Sequence, residues 1–134
     1  MKRLFSGFSS GKHSMSQLPS AFFSDLLPLI DDVGELKVTL FCFWALSQKG
    51  GNNPYLAKAD FLTSESLLEG LAILDRERDA EALLEEALAN CVARGTLLPV
   101  DVDLNQQKQC LYFLNTSKGR RAVKQIQAGK WQSS

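Results

Sequence analysis

The constraint that most narrows what this chain can fold into is one amphipathic helix with a sharp stop and a hairpin directly behind it. Ala80, Leu83, Leu84, Ala87, Leu88, Cys91 and Val92 recur at spacings of three and four. That repeat predicts a helix over 75–94, about 30 Å long, with one apolar face. Gly95 then supplies the left-handed residue that ends a helix. Beyond it, Leu98, Val100 and Val102 alternate with Pro99, Asp101 and Asp103, as in a half-buried strand. Pro99 cannot donate to a ladder, so its edge faces outward. Residues 104–107 turn the chain and 109–114 return it, closing a hairpin over 96–114. The solvent face of the long helix carries Glu77, Glu81, Glu85 and Glu86 against Arg78.

The rest of the chain supplies the elements this pair packs against. Residues 1–17, rich in Ser and Gly, lack periodicity and are expected to form a flexible basic leader. Pro19 suits a first helical turn, and Phe22, Phe23, Leu26, Leu27 and Ile30 follow on one stripe. Pro28 removes a backbone donor, so this leading helix should kink or end near 24–27. Asp31 or Asp32 can cap a helix over 33–48 that Gly50 and Gly51 terminate. Leu36, Leu40, Phe43, Trp44 and Ser47 mark one of its faces. Val38, Phe41, Cys42 and Ala45 leave little polar surface elsewhere, which suits a central helix covered on several sides. A short strand over 54–57 comes next. Residues 58–62 and 64–71 then read as two short helices, or as one with a bend at Thr63. Asn115 or Thr116 caps a last helix, with Val123 and Ile126 inward and Arg120, Arg121 and Lys124 outward. This order is that of a winged helix-turn-helix with an additional N-terminal helix and a closing C-terminal helix. The expected fold is α+β, mainly α with a small β-hairpin, in one domain over 18–131 with a short tail at 132–134.

Charge is unevenly spread. All fifteen acidic residues lie between Asp25 and Asp103, where only six basic ones accompany them, whereas 104–134 holds six basic residues and no acidic one. The acidic body and basic ends suggest distinct partners at distinct places. The longest apolar run, 38–46, is about half of a membrane span, and Lys2 and Arg3 precede no secretory apolar stretch. The expected location is therefore the cytoplasm, with no membrane partner. Cys42, Cys91 and Cys110 sit in apolar surroundings without metal-ligand spacing and read as core residues. His13 is the sole histidine and lies in the leader, too isolated for a metal site or for acid–base work. Gly7 to Ser14 has the wrong glycine spacing for a phosphate loop, and no strand precedes it. The Asn115-Thr116-Ser117 sequon has no consequence in a chain that stays out of the secretory route. Neighbouring acids in a helix point about 100° apart, so Asp31/Asp32 and Glu85/Glu86 do not converge on one atom. The chain is not expected to be an enzyme, to hold a cofactor or metal, or to take a small-molecule substrate.

Several stretches are similar to those of a known family: LPSAFFSDLLPLI at 18–30, ELKVTLFCFWAL at 35–46, YLAKADFL at 55–62, ANCVARGTLL at 89–98 and YFLNTSKGR at 112–120. Together they resemble the N-terminal module of DnaD-like bacterial replication initiation proteins, over roughly Pro19 to Trp131. The resemblance implies a winged-helix domain that oligomerises and serves primosome assembly beside other replication proteins. It also implies that much of the family's DNA binding belongs to a separate C-terminal helical domain, which this sequence lacks.

Two expectations follow. In the first, a non-enzymatic module acts by self-association, as a dimer, and by protein contacts, with Phe22, Phe23, Leu26 and Leu27 at the subunit interface. In the second, a transcription regulator binds duplex DNA. Gln106, Gln107 and Lys108 of its wing would touch a groove, while Lys118, Arg120, Arg121, Lys124 and Lys130 would meet phosphates. Cations with Trp131 nearby are also what single strands use. The acidic face of the long helix disfavours the usual groove-reading mode, because it would meet a polyanion with like charge.

Overall fold

A computed structural model describes residues 3–12, 14–50 and 54–130; the expectations for His13, Gly51 and Trp131 lie outside them. The architecture is a mixed α+β winged helix. A leading helical segment precedes α1 (Val33–Lys49), β1 (Tyr55–Ala57), α2 (Lys58–Leu62), α3 (Glu65–Ala72), α4 (Ala80–Arg94), β2 (Leu97–Leu104), β3 (Gln107–Leu114) and α5 (Ser117–Gln127). Among the described residues no helix is long and apolar enough to cross a membrane.

The leading segment is less regular than a kinked α-helix. A π-helical turn, Phe22–Leu26, closes with the Leu27 N–H on Phe22 O and passes into a 3₁₀ turn, Leu27–Leu29. Pro28 explains the change of winding, because it has no N–H to continue an α ladder. Asp32, rather than Asp31, caps α1, accepting from the Glu35 N–H at 2.8 Å.

The face of α1 that enters the core is not the one its bulkiest residues mark. Gly34, Glu35, Val38, Thr39 and Cys42 are buried, whereas Leu40 and Trp44 are 38% and 49% exposed. With apolar residues nearly all round, hydrophobicity alone does not set the phase of this helix. Close approach to α4 sets it instead. A Cβ on Gly34 would already touch Ala87, and Thr39 Oγ1 lies 3.4 Å from Cys91 Sγ. Small residues thus bring the two helices together. The Cys42 and Cys91 thiols are buried, and burial pushes the pKa of each up, that of Cys91 to about 11; Cys110 on the returning hairpin strand is only half-buried, short of the core position expected for it.

α2 and α3 are separate helices. Thr63 ends the first, and the Ser64 hydroxyl accepts from the Leu67 N–H to start the second. α4 begins at Ala80, five residues later than the expected Asp75. Asp79 caps it, while Asp75 holds a tight turn by accepting from the Glu77 N–H at 3.1 Å and, through its carbonyl, from the Arg78 N–H at 3.2 Å. Of two capping residues, the one next to the apolar repeat started the helix. Gly95 ends it at φ +91°.

The three strands form an antiparallel sheet in the order β1-β3-β2, with Tyr55 opposite Phe113 and Leu97 opposite Leu114. β2 lies at an edge, as its Pro99 requires. Asn105 and Gln106 form the two-residue turn of the hairpin, both at positive φ (+52° and +66°). The sheet has two covered faces. Leu97, Tyr112 and Leu114 pack with the helical core around Val38, Phe61 and Leu84. On the other face, Leu98, Val100, Leu111 and Phe113 pack with Ala122, Val123 and Ile126 of α5. The sheet therefore separates α5 from α1 and α4.

Candidate functional site

Three surfaces carry the residues that could meet a partner: the outer face of α4, the outer face of α5 and the leading segment. On α4, Leu84, Ala87, Leu88 and Cys91 are buried, which turns Glu85 and Glu86 to solvent. Glu85 pairs with Lys58 of α2, and Glu86 lies 2.6 Å from Arg78. Both pairs are exposed and hold little energy. Glu77 stands in the turn before α4, not on its face. In a winged helix α4 occupies the position of the recognition helix, and here that helix presents carboxylates.

The Thr116 side chain caps α5, accepting from the Gly119 N–H at 3.0 Å. Gly119, Ala122, Val123 and Ile126 take the sheet side, so Lys118, Arg120, Arg121 and Lys124 fall on or beside the solvent face. Arg120 is braced. Its guanidinium donates to Asn115 Oδ1 at 3.0 Å and Ser117 Oγ at 3.3 Å, and Asn115 in turn donates to Gly95 O at 2.8 Å. Lys130 is exposed just past the helix. Lys108 does not join this group. It stands at the tip of the hairpin opposite Asp103, with Asp101 also exposed on β2. The wing therefore has no cationic surplus, and Gln106 is engaged in turning the chain.

The four residues expected at a subunit interface separate. Phe22 is buried, 5.0 Å from the Phe23 ring and 6.0 Å from that of Phe43, each edge to face. It belongs to the chain's own interior and corrects the expectation that all four form an outer surface. Leu26 and Leu27 are half-buried, and Phe23 is 56% exposed. Under the leading segment opens a pocket of about 270 Å³ walled by Phe22, Leu26, Phe43 and Leu114, with Asp25 and Arg94 also lining it.

No family model matches the chain, and neither a curated protein nor a solved structure does.

Two features were not legible in the sequence. The first is an ion pair between α1 and α4. Arg94 donates from Nε to Glu35 Oε2 at 3.0 Å and from Nη2 to Glu35 Oε1 at 3.1 Å, with Asp31 Oδ1 at 3.2 Å. Glu35 is 1% exposed, whereas the Arg94 side chain keeps 27%. Hydrogen bonding to Glu35 raises the Arg94 pKa. Nothing in a separation of 59 residues announces such a pair. The second is an apolar groove between α1 and α3, lined by Leu40, Phe41, Trp44 and Leu67. The sequence places Leu40 and Trp44 on one face of α1, but nothing local to it tells that this face stays at the surface. Among the described residues no three His, Cys, Asp or Glu side chains converge as metal ligands.

Proposed function

We propose that this chain is a non-enzymatic winged-helix module of the DnaD-like replication initiation type. It works in the cytoplasm by self-association and by contacts with other replication proteins. The observation that carries this reading is the leading segment, where Phe23 is 56% exposed while Phe22 and Leu26 of the same segment wall an apolar pocket with Phe43 and Leu114. An exposed ring and an apolar recess on one short segment are the ridge and hollow from which a two-fold contact between copies can be built. The carboxylates on α4 support the same reading from another side, because they suit contact with proteins better than insertion into a DNA groove.

Sedimentation velocity of the wild type and of Phe23→Asp at micromolar concentration tests the self-association. The wild type is expected to be a dimer and the variant a monomer with an unchanged far-ultraviolet circular dichroism spectrum. Phe22→Asp is unsuitable, since it places a charge inside the fold. A monomeric wild type removes the self-association, and a dimeric Phe23→Asp moves the interface elsewhere. Depletion of the protein in its own cells should lower the origin-to-terminus copy ratio toward one. An unchanged ratio refutes the replication assignment.

A further inference from the structure

We propose that the outer face of α5 is a surface for the phosphate backbone of duplex DNA, engaged while α4 points away from it. The sheet is the decisive element. Leu97 and Leu98, adjacent on β2, face opposite sides, the first toward the helical core and the second toward α5. The acidic helix and the basic helix therefore sit on opposite sides of a three-stranded sheet, and their outer faces point away from one another.

α5 holds Lys118, Arg120, Arg121 and Lys124 and no acidic residue. These four span about 9 Å of helix axis, a length over which one DNA strand presents about three phosphates. Arg120 is already oriented by Asn115 and Ser117, so less side-chain freedom is lost when it meets an anion. The solvent-facing residues beside these cations are Ser117, Gln125 and Gln127, none of them aromatic. Among the described residues this face offers no platform for stacking an unpaired base, which favours the backbone of a duplex over a single strand. Contact with phosphates alone carries no base readout, so binding is independent of sequence.

Fluorescence anisotropy of the full chain with two unrelated 20-base-pair duplexes tests this directly. If three phosphates are neutralised, the log–log salt slope is about −2.7, and affinity falls about 40-fold between 50 and 200 mM salt. Arg121→Ala/Lys124→Ala should reduce the slope to about −1.8 on both duplexes while leaving the thermal midpoint unchanged. Glu81→Gln/Glu85→Gln, on α4 at the far side of the sheet, should leave the slope in place. No binding at 50 mM salt, a slope untouched by the α5 variant, or tighter binding to the matching single strand overturns the proposal. A tenfold gain from the two glutamine changes would instead place the DNA on α4. The oligomeric state does not enter, so a monomeric protein leaves this test intact.

Discussion

Gly119→Ala is a substitution for which helix propensity and tertiary packing give opposite signs. Gly119 lies in the first turn of α5, and a side-chain carbon there would fall far inside van der Waals contact with the backbone carbonyl oxygen of Leu114. That carbonyl has little room to retreat. It accepts from the Thr116 N–H at 2.8 Å, and Leu114 is the buried end of β3. In an isolated helix, Ala is favoured over Gly by about 1 kcal/mol. Forcing a methyl group into a closed contact costs about 1–3 kcal/mol, toward the upper end when the neighbour is backbone. The net expectation is a loss of about 1–2 kcal/mol, read as a fall of about 1 M in the urea midpoint with an unchanged slope. Gln125→Ala, on the exposed face of the same helix, serves as the control and should be neutral or slightly stabilising. A Gly119→Ala protein as stable as the wild type would mean that α5 does not leave the sheet along this path. The orientation of its cations would then need revision too.

Three further outcomes check other parts of the fold. Gln106→Gly relieves a side chain held at φ +66° in the hairpin turn and should raise stability by about 0.5–1 kcal/mol, a few degrees in the thermal midpoint; a lower midpoint would count against the two-residue turn. Arg94→Met strands the Glu35 carboxylate, so its urea midpoint at pH 7 should fall well below that of Glu35→Leu, in which Arg94 can still reach water and Asp31. Adding Glu35→Leu to Arg94→Met should recover most of the loss, and a double variant no better than Arg94→Met would show that the pair is not a unit. Ellman's reagent at pH 8 should label Cys110 in the native protein and reach Cys42 and Cys91 only on unfolding, because both are fully covered and burial disfavours their thiolates; rapid labelling of all three thiols would refute the packing of α1 on α4.

What the sequence disclosed follows from which physical signals are local. The repeat within α4, the stop at Gly95, the alternation in β2 and the cap at Thr116 each operate within a few residues, and the winged-helix order could be read from them. Where two local signals competed, only tertiary contact decided. Asp75 and Asp79 both suit a helix start, and the residue nearer the core-facing repeat prevailed. In α1 the local signal misled, because Leu40 and Trp44 are larger and more apolar than Gly34, Thr39 and Cys42. Yet the small residues were buried, since they let α4 approach. Leu40 and Trp44 remain at the surface for that reason. The Glu35–Arg94 pair and the recess walled by Phe22, Phe43 and Leu114 depend on segments far apart in sequence, and no spacing rule reaches them.

The distribution of charge takes its meaning from the sheet. In the linear sequence the acids cluster before Asp103 and the cations after it, which by itself permits either mixing or separation in space. Alternation along β2 and β3 settles the matter. Leu98, Val100, Val102 and Leu104 of β2 and Leu111 and Phe113 of β3 pack on the α5 side, whereas Leu97, Tyr112 and Leu114, of the opposite parity, pack with the helical core. A one-residue slip in the register would exchange those two sets and put polar positions against the core, so the hydrophobic pattern itself holds the basic helix away from the acidic one. A net charge of zero therefore conceals two faces of opposite sign. On the proposal made for α5, a polyanion would sit on one side of the sheet and leave α4, Phe23 and the Trp44 groove uncovered. In an ordinary winged-helix reader the DNA occupies the recognition helix; DNA held by α5 would leave that helix open to proteins.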